Sequence, residues 1–126
     1  MKLSPQQTEP EPLAGIAEQA CELLLANKYA ELAEKFGYAV SLGRKPPEAI
    51  QEDLSASLSQ LGETKLDRTK HPEVQVKYFK ANSTNLYAVA EASLTTASGQ
   101  NVLVELVVFG SGNEFHASLE QISAAA

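Results

Sequence analysis

The sequence predicts an α+β fold in which N-terminal helices pack on a curved antiparallel sheet of four to five strands. Three observations carry that reading. Apolar residues recur every three or four positions as far as Leu61, and from Val74 onward they alternate with period two. The links between the alternating runs are short and rich in Asn, Ser and Gly. Successive strands with such links form an antiparallel meander, so the expected order is α-α-α-β-β-β-β.

Residues 1–12 are polar and carry Pro5, Pro10 and Pro12. Such a stretch buries too little apolar surface to offset the entropy of ordering, and it reads as a disordered tail. A single domain is expected over residues 13–122, with 123–126 as a frayed end. In the first helix Leu13, Ile16, Ala17, Ala20 and Leu24 share a face opposite Glu18, Gln19 and Glu22. Asn27 interrupts good helix formers and is expected to break the chain there, capping a second helix. That helix carries Tyr29, Leu32, Ala33, Phe36 and Val40 on one side, with Gly43 as its end. Pro47 opens a third helix, which is lined by Ile50, Leu54, Leu58 and Leu61 and stopped by Gly62.

Four strands follow, around Val74–Tyr78, Leu86–Thr95, Val102–Phe109 and Phe115–Glu120, with a fifth, short one expected at 64–68. A slip of one residue would turn every side chain to the wrong face, so register can be argued from the apolar pattern. A three-residue loop at Ser98–Gln100 sets Leu94 opposite Val104 and Ala90 opposite Val108. A four-residue loop at Gly110–Asn113 sets Val108 opposite Phe115 and Leu106 opposite Ala117. Both choices give one wholly apolar face, with Leu32, Phe36, Leu54, Leu58, Ala90, Leu94, Val104, Leu106, Val108, Phe115 and Leu119 as the expected core. The other face carries Tyr87, Val89, Leu103, Val107 and Phe109 together with Glu91, Glu105 and His116. An apolar patch rimmed by charge marks an interface, and the first five residues are the expected homodimer surface.

The 126 residues carry a formal net charge of −6, which disfavours phosphate backbones as partners. Residues 64–80 run against that trend, with Lys65, Arg68, Lys70, Lys77 and Lys80 against Asp67 and Glu73. One cysteine, Cys21, cannot form an internal disulfide. Met1-Lys2-Leu3-Ser4-Pro5 runs into polar sequence without an apolar segment of signal-peptide type, and the longest apolar runs are far below a membrane span. A soluble, cytoplasmic protein without membrane contact is expected.

The stretch Leu24-Leu25-Ala26-Asn27-Lys28-Tyr29-Ala30-Glu31-Leu32-Ala33-Glu34-Lys35-Phe36 resembles the opening of nuclear transport factor 2-like proteins, the ketosteroid-isomerase-like branch of the cystatin-like α+β folds. The likeness is one of topology and patterning over residues 13–122. It implies a sheet wrapped round the helices as a cone with an apolar ligand pocket, and a homodimer through the outer face. The pocket lining would then include Leu32, Phe36, Ala90, Leu106, Val108 and Phe115. Enzymes of that superfamily carry a general acid or base on the pocket wall, and here the wall has no titratable group, which counts against catalysis.

Glu91, Glu105 and His116 are the best candidates for acid–base work, since a His beside carboxylates can move protons. Two Glu and one His are an incomplete metal set, and half-exposed strand positions tolerate charge without any role. His71 before Pro72 reads as a solvated turn residue, and Cys21 as a small core side chain. Lys77-Tyr78-Phe79-Lys80 mixes basic and aromatic residues as single-strand binders do, but alternation sends the two rings to opposite faces. Gly110-Ser111-Gly112 leads to a strand and not a helix, so it is a hairpin turn and not a phosphate loop. No cofactor motif is present. The expected function is a non-catalytic, homodimerising domain that binds a small apolar ligand or a protein partner. The alternatives are a small isomerase or dehydratase, and a nucleic-acid or acidic-partner module resting on the basic band 65–80.

Overall fold

Three helices pack on one side of an open antiparallel sheet of five strands, an α+β fold. The structure is a computed structural model and describes residues 1–125. The chain forms a short strand β1 (Lys2–Leu3), a 3-10 turn (Pro5–Thr8), helices α1 (Pro10–Leu25), α2 (Tyr29–Phe36) and α3 (Pro46–Gln60), and strands β2 (Glu73–Tyr78), β3 (Leu86–Thr95), β4 (Asn101–Ser111) and β5 (Glu114–Ala124). The sheet order is β1-β5-β4-β3-β2, antiparallel throughout. Among the described residues no helix is long and apolar enough to cross a membrane.

The helix ends follow from backbone chemistry. Pro10 stands in the first turn of α1, where a missing N–H costs nothing. The chain does break at Asn27, but Asn27 closes α1 and does not cap α2. It sits in the left-handed region (φ +59°). Its N–H donates to the Leu24 carbonyl at 3.1 Å, and the Lys28 N–H donates to Leu23 at 2.9 Å. This is a Schellman closure, which satisfies carbonyls that the helix end would otherwise leave bare. Gly62 ends α3 in the same way, with its N–H on Ser59 and that of Glu63 on Leu58. Helix α2 is shorter than the apolar spacing suggests. Gly37 takes φ +68° directly after Phe36, so Val40 leaves the helical face and is exposed.

The segment read as a disordered tail is ordered. Lys2 pairs with His116 and Leu3 with Phe115, which makes β1 the edge strand of the sheet. Leu3 is 2% exposed, and the Thr8 carbonyl accepts a hydrogen bond from the Tyr78 hydroxyl at 2.6 Å. Local composition conceals this, because the pairing partner lies more than a hundred residues away. The strand expected at 64–68 is only an isolated bridge between Leu66 and Thr96. At the other end β5 runs to Ala124, and Ala125 donates to the Asn101 carbonyl, so the expected fraying is absent there. Ala126 lies outside the described residues.

The register keeps the expected faces but moves along the strands. Leu94 pairs with Val102, Ala92 with Val104, Ala90 with Leu106 and Ala88 with Val108. Val108 pairs with Ala117 and Leu106 with Leu119. Both hairpins are shifted by two residues from the expected register, because the first loop spans Thr96–Gln100 and the second is the tight pair Gly112-Asn113. Gly112 has φ +64°, as a two-residue turn requires. Gly110 is needed for another reason, since a Cβ there would run into the Glu114 carbonyl oxygen.

The core lies between the helices and this inner face. All eleven expected core residues are buried, and they are joined by Leu3, Leu13, Leu24, Ile50 and Tyr38. Helix α1 crosses β2 and β3, while α3 lies over β5. Ala88, Ala90, Ala92 and Ala117, all 1% exposed or less, let the helices approach the sheet closely.

Candidate functional site: the outer face of the sheet

Side chains on the side of the sheet away from the helices fall into rows across the strands, four of which join four strands each. Lys2, His116, Phe109 and Leu86 form the first, and Ser118, Val107, Val89 and Lys77 the second. Gln121, Glu105, Glu91 and Gln75 form the third, and Ser123, Leu103, Ser93 and Glu73 the fourth. The face is therefore zoned along the strands. The first two rows hold the bases Lys2 and Lys77 with most of the apolar side chains, and the last two hold the acids Glu105, Glu91 and Glu73; Glu114, beyond the first row, adds one acid to the basic end.

Four of the five expected interface residues lie on this face. Val89 and Leu103 are half-buried, Phe109 is exposed, and Val107 is largely covered by its neighbours within the sheet. Tyr87 does not belong to it. The ladder shifts between Leu86 and Ala88, and this irregularity turns Tyr87 to the helix side. There its ring lies 4.7 Å from that of Phe115 and edge-on to Tyr78 at 5.7 Å. An alternation count run through the bulge assigns that one side chain to the wrong face.

Glu91 and Glu105 stand directly opposite each other in the β3–β4 ladder. A second irregularity, opposite Glu105, places Glu120 beside it as an extra residue on β5, where its carboxylate accepts a hydrogen bond from the Ser118 hydroxyl at 2.6 Å. Burial, and then the charges of Glu91 and Glu120, raise the Glu105 pKa above the usual carboxylate value. His116 is not part of this group. It faces Phe109, four residues along β4 from Glu105, which is about 13 Å at the rise of a strand. Its neighbours are Lys2 and the Met1 amine, 3.5 Å from Nε2. The sequence places His116 and Glu91 on either side of Val107, whereas Val107 is flanked by Val89 and Ser118. The two-residue shift in register takes the proposed base away from the carboxylates.

Leu32, Phe36, Ala90, Leu106 and Val108, the expected pocket lining, are each 1% exposed or less and pack into the core. Phe115 alone of that set reaches surface clefts. One of about 640 Å³ lies at the cationic end of the sheet, between Phe109, Phe115, His116 and Asn85. Cys21 is fully buried, and burial followed by Glu18 and Glu22 pushes its thiol up to about 12, far from a nucleophile's range. His71 is exposed, with Nε2 3.7 Å from Glu18. Asn82 is a turn residue, its amide donating to the carbonyls of Lys80 and Leu86. Among the described residues no three His, Cys, Asp or Glu side chains gather as a metal centre requires.

One polar cluster has no counterpart in the sequence reading. Arg44 grips Asp53 through both terminal nitrogens, at 2.9 and 3.2 Å, and donates to the Ser41 and Val40 carbonyls. The Tyr38 hydroxyl donates to the same carboxylate at 2.5 Å. Hydrogen bonding from Arg44, then from Tyr38, holds the Asp53 carboxyl below its usual range despite partial burial. The cluster pins the α2–α3 loop onto α3. Its only signal in the sequence is a Tyr, an Arg and an Asp spread over sixteen residues, and no local pattern joins them.

Comparison with protein-family models, curated proteins and solved structures finds no match to this chain.

Proposed function

We propose that the chain is a non-catalytic assembly domain that pairs with a second copy through the outer face of its sheet. The zoning of that face carries the reading. A two-fold axis along the rows, between the rows of Val107 and Glu105, reverses the strand direction of the second copy. Phe109 of each copy then meets Leu103 of the other. Lys77 comes within a diagonal step of the opposing Glu91 and no two like charges stand directly opposite, while Glu91 and Glu105 come to lie over Val89 and Val107. Homodimerisation through this face is also what the resemblance to nuclear transport factor 2-like proteins implies. Against catalysis stands the separation of His116 from the two glutamates on an open sheet face. Light scattering at micromolar concentration should give about twice the 13.5 kDa chain mass. Phe109→Asp should return the mass to that of one chain while the circular dichroism spectrum is retained. A wild-type mass of 13.5 kDa would end the dimer reading.

A further inference from the structure

The basic band has no part in the outer-face assembly apart from Lys77. Two of its members, Lys65 and Arg68, line a cleft of about 420 Å³ on the helix side of the sheet, between the α1–α2 turn, α3 and the segment leading to β2. We propose that this cleft is a binding site for a small phosphate-bearing molecule, with Lys65 and Arg68 as its recognition pair.

Neither cation has an ion-pair partner among the described residues, although the chain carries 16 acids. The two carboxylates nearest in sequence accept hydrogen bonds from neutral donors and form no ion pair with either cation. Glu63 accepts the Ser98 N–H at 3.1 Å, and hydrogen bonding from Thr96 and Ser98 holds it below its usual pKa. Asp67 accepts both the N–H and the hydroxyl of Thr69, at 2.9 and 2.6 Å. No Asp or Glu lines the cleft at all. In a protein of net charge −6, two cations without an ion-pair partner beside a concavity with no acid in its lining favour an anion there, and Asp67 turns instead to the adjoining cleft that it shares with both.

The remaining walls offer donors. Ser55 and Thr64 contribute hydroxyls. The Asn27 side-chain oxygen is occupied by the Tyr29 hydroxyl at 2.8 Å, which leaves its amide hydrogens to point elsewhere. The segment that carries the cations is held in place before any ligand arrives. The Lys65 carbonyl accepts from Ala97, the Asp67 N–H donates to Thr95, and Leu66 is buried beneath. A guanidinium fork beside an ammonium group suits a dianion better than a single carboxylate, which would leave one cation unmatched. The volume lies within the range of small-ligand sites.

The test is a titration of isotope-labelled, full-length protein with inorganic pyrophosphate, followed by amide NMR shifts. Saturable shifts at Asn27, Ser55 and residues 64–68 are expected, and acetate at equal ionic strength should produce none. Lys65→Ala with Arg68→Ala should weaken binding about tenfold or more. Lys70→Ala with Lys80→Ala, which removes as much charge outside the cleft, should leave it unchanged. The first double variant should keep the wild-type mass in light scattering, so failure here is distinct from failure of the dimer. Absence of saturable shifts would overturn the site. So would equal loss in both double variants, or tighter binding of a single-stranded hexanucleotide that depends on Lys70 and Lys80, which would assign the band to nucleic acid.

Discussion

The two faces of the sheet are made by alternate residues of the same strands and have opposite characters. On the inner face Ala88, Ala90, Ala92, Leu94, Val102, Val104, Leu106, Val108, Ala117 and Leu119 are all closed off by the helices. On the outer face apolar and polar groups stand side by side in three of the four rows, and the carboxylates of Glu91 and Glu120 crowd Glu105. The inner face satisfies one demand, dense packing, and strict alternation meets it. The outer face tolerates like charges directly opposite each other at some cost. It is the face on which residues are free to serve something other than the fold.

The widest contrast between the faces is expected on β4. Leu106→Ala should cost about 2–5 kcal/mol in denaturant unfolding, through lost transfer energy and a cavity. Leu103→Ala, three positions away on the outer side, should cost less than about 1 kcal/mol in the monomer and act instead on self-association. Equal costs would show that the outer face is packed as the inner one is.

Strand β1 repeats the contrast within two residues. Leu3→Ala should cost about 2 kcal/mol, because its side chain is closed into the core. Lys2→Ala on the same strand should leave the unfolding midpoint unchanged within error, since its side chain is exposed. Tolerance of both substitutions would detach the N-terminal segment from the domain.

The smallest effect concerns the carboxylates. The folded protein raises the Glu105 pKa, so folding favours its protonated form, and the group is least costly at acid pH. As the pH rises through the ordinary carboxylate range and then through the raised value, that advantage is lost. Glu105→Gln should therefore stabilise the protein at pH 7 by about 0.5 kcal/mol, a modest figure because solvent screens the group. The gain should fade towards pH 4. A gain that persists there would locate the effect in packing and not in charge.

The inner face was legible in the sequence because alternation is a local property: the β3–β4–β5 run carries it residue by residue, and no long-range information is needed. The stops at Gly62 and near Asn27 were legible for the same reason, although Asn27 closes the first helix where capping of the second was expected. Local geometry misled in two places, at Gly37, which ends the second helix early, and at the bulge that turns Tyr87, and the larger failures involved strand pairing. The hairpin loops moved both pairings by two residues, which preserves faces and therefore leaves no trace in an apolar pattern. That same shift removed His116 from the glutamates.

The sequence by itself determined the three helices, the four main strands and which side of each strand is buried, because periods of 3.6 and 2 are written in neighbouring residues. Only the tertiary structure decided the rest. Leu3 became part of the core by pairing with Phe115, Arg44 found Asp53 across a loop, and Tyr87 turned inward at a bulge. Lys65 and Arg68 came to face a cleft without an acid. Each of these depends on which groups are left unsatisfied once the chain has closed on itself, and closure is a property of the whole backbone and not of any window along it.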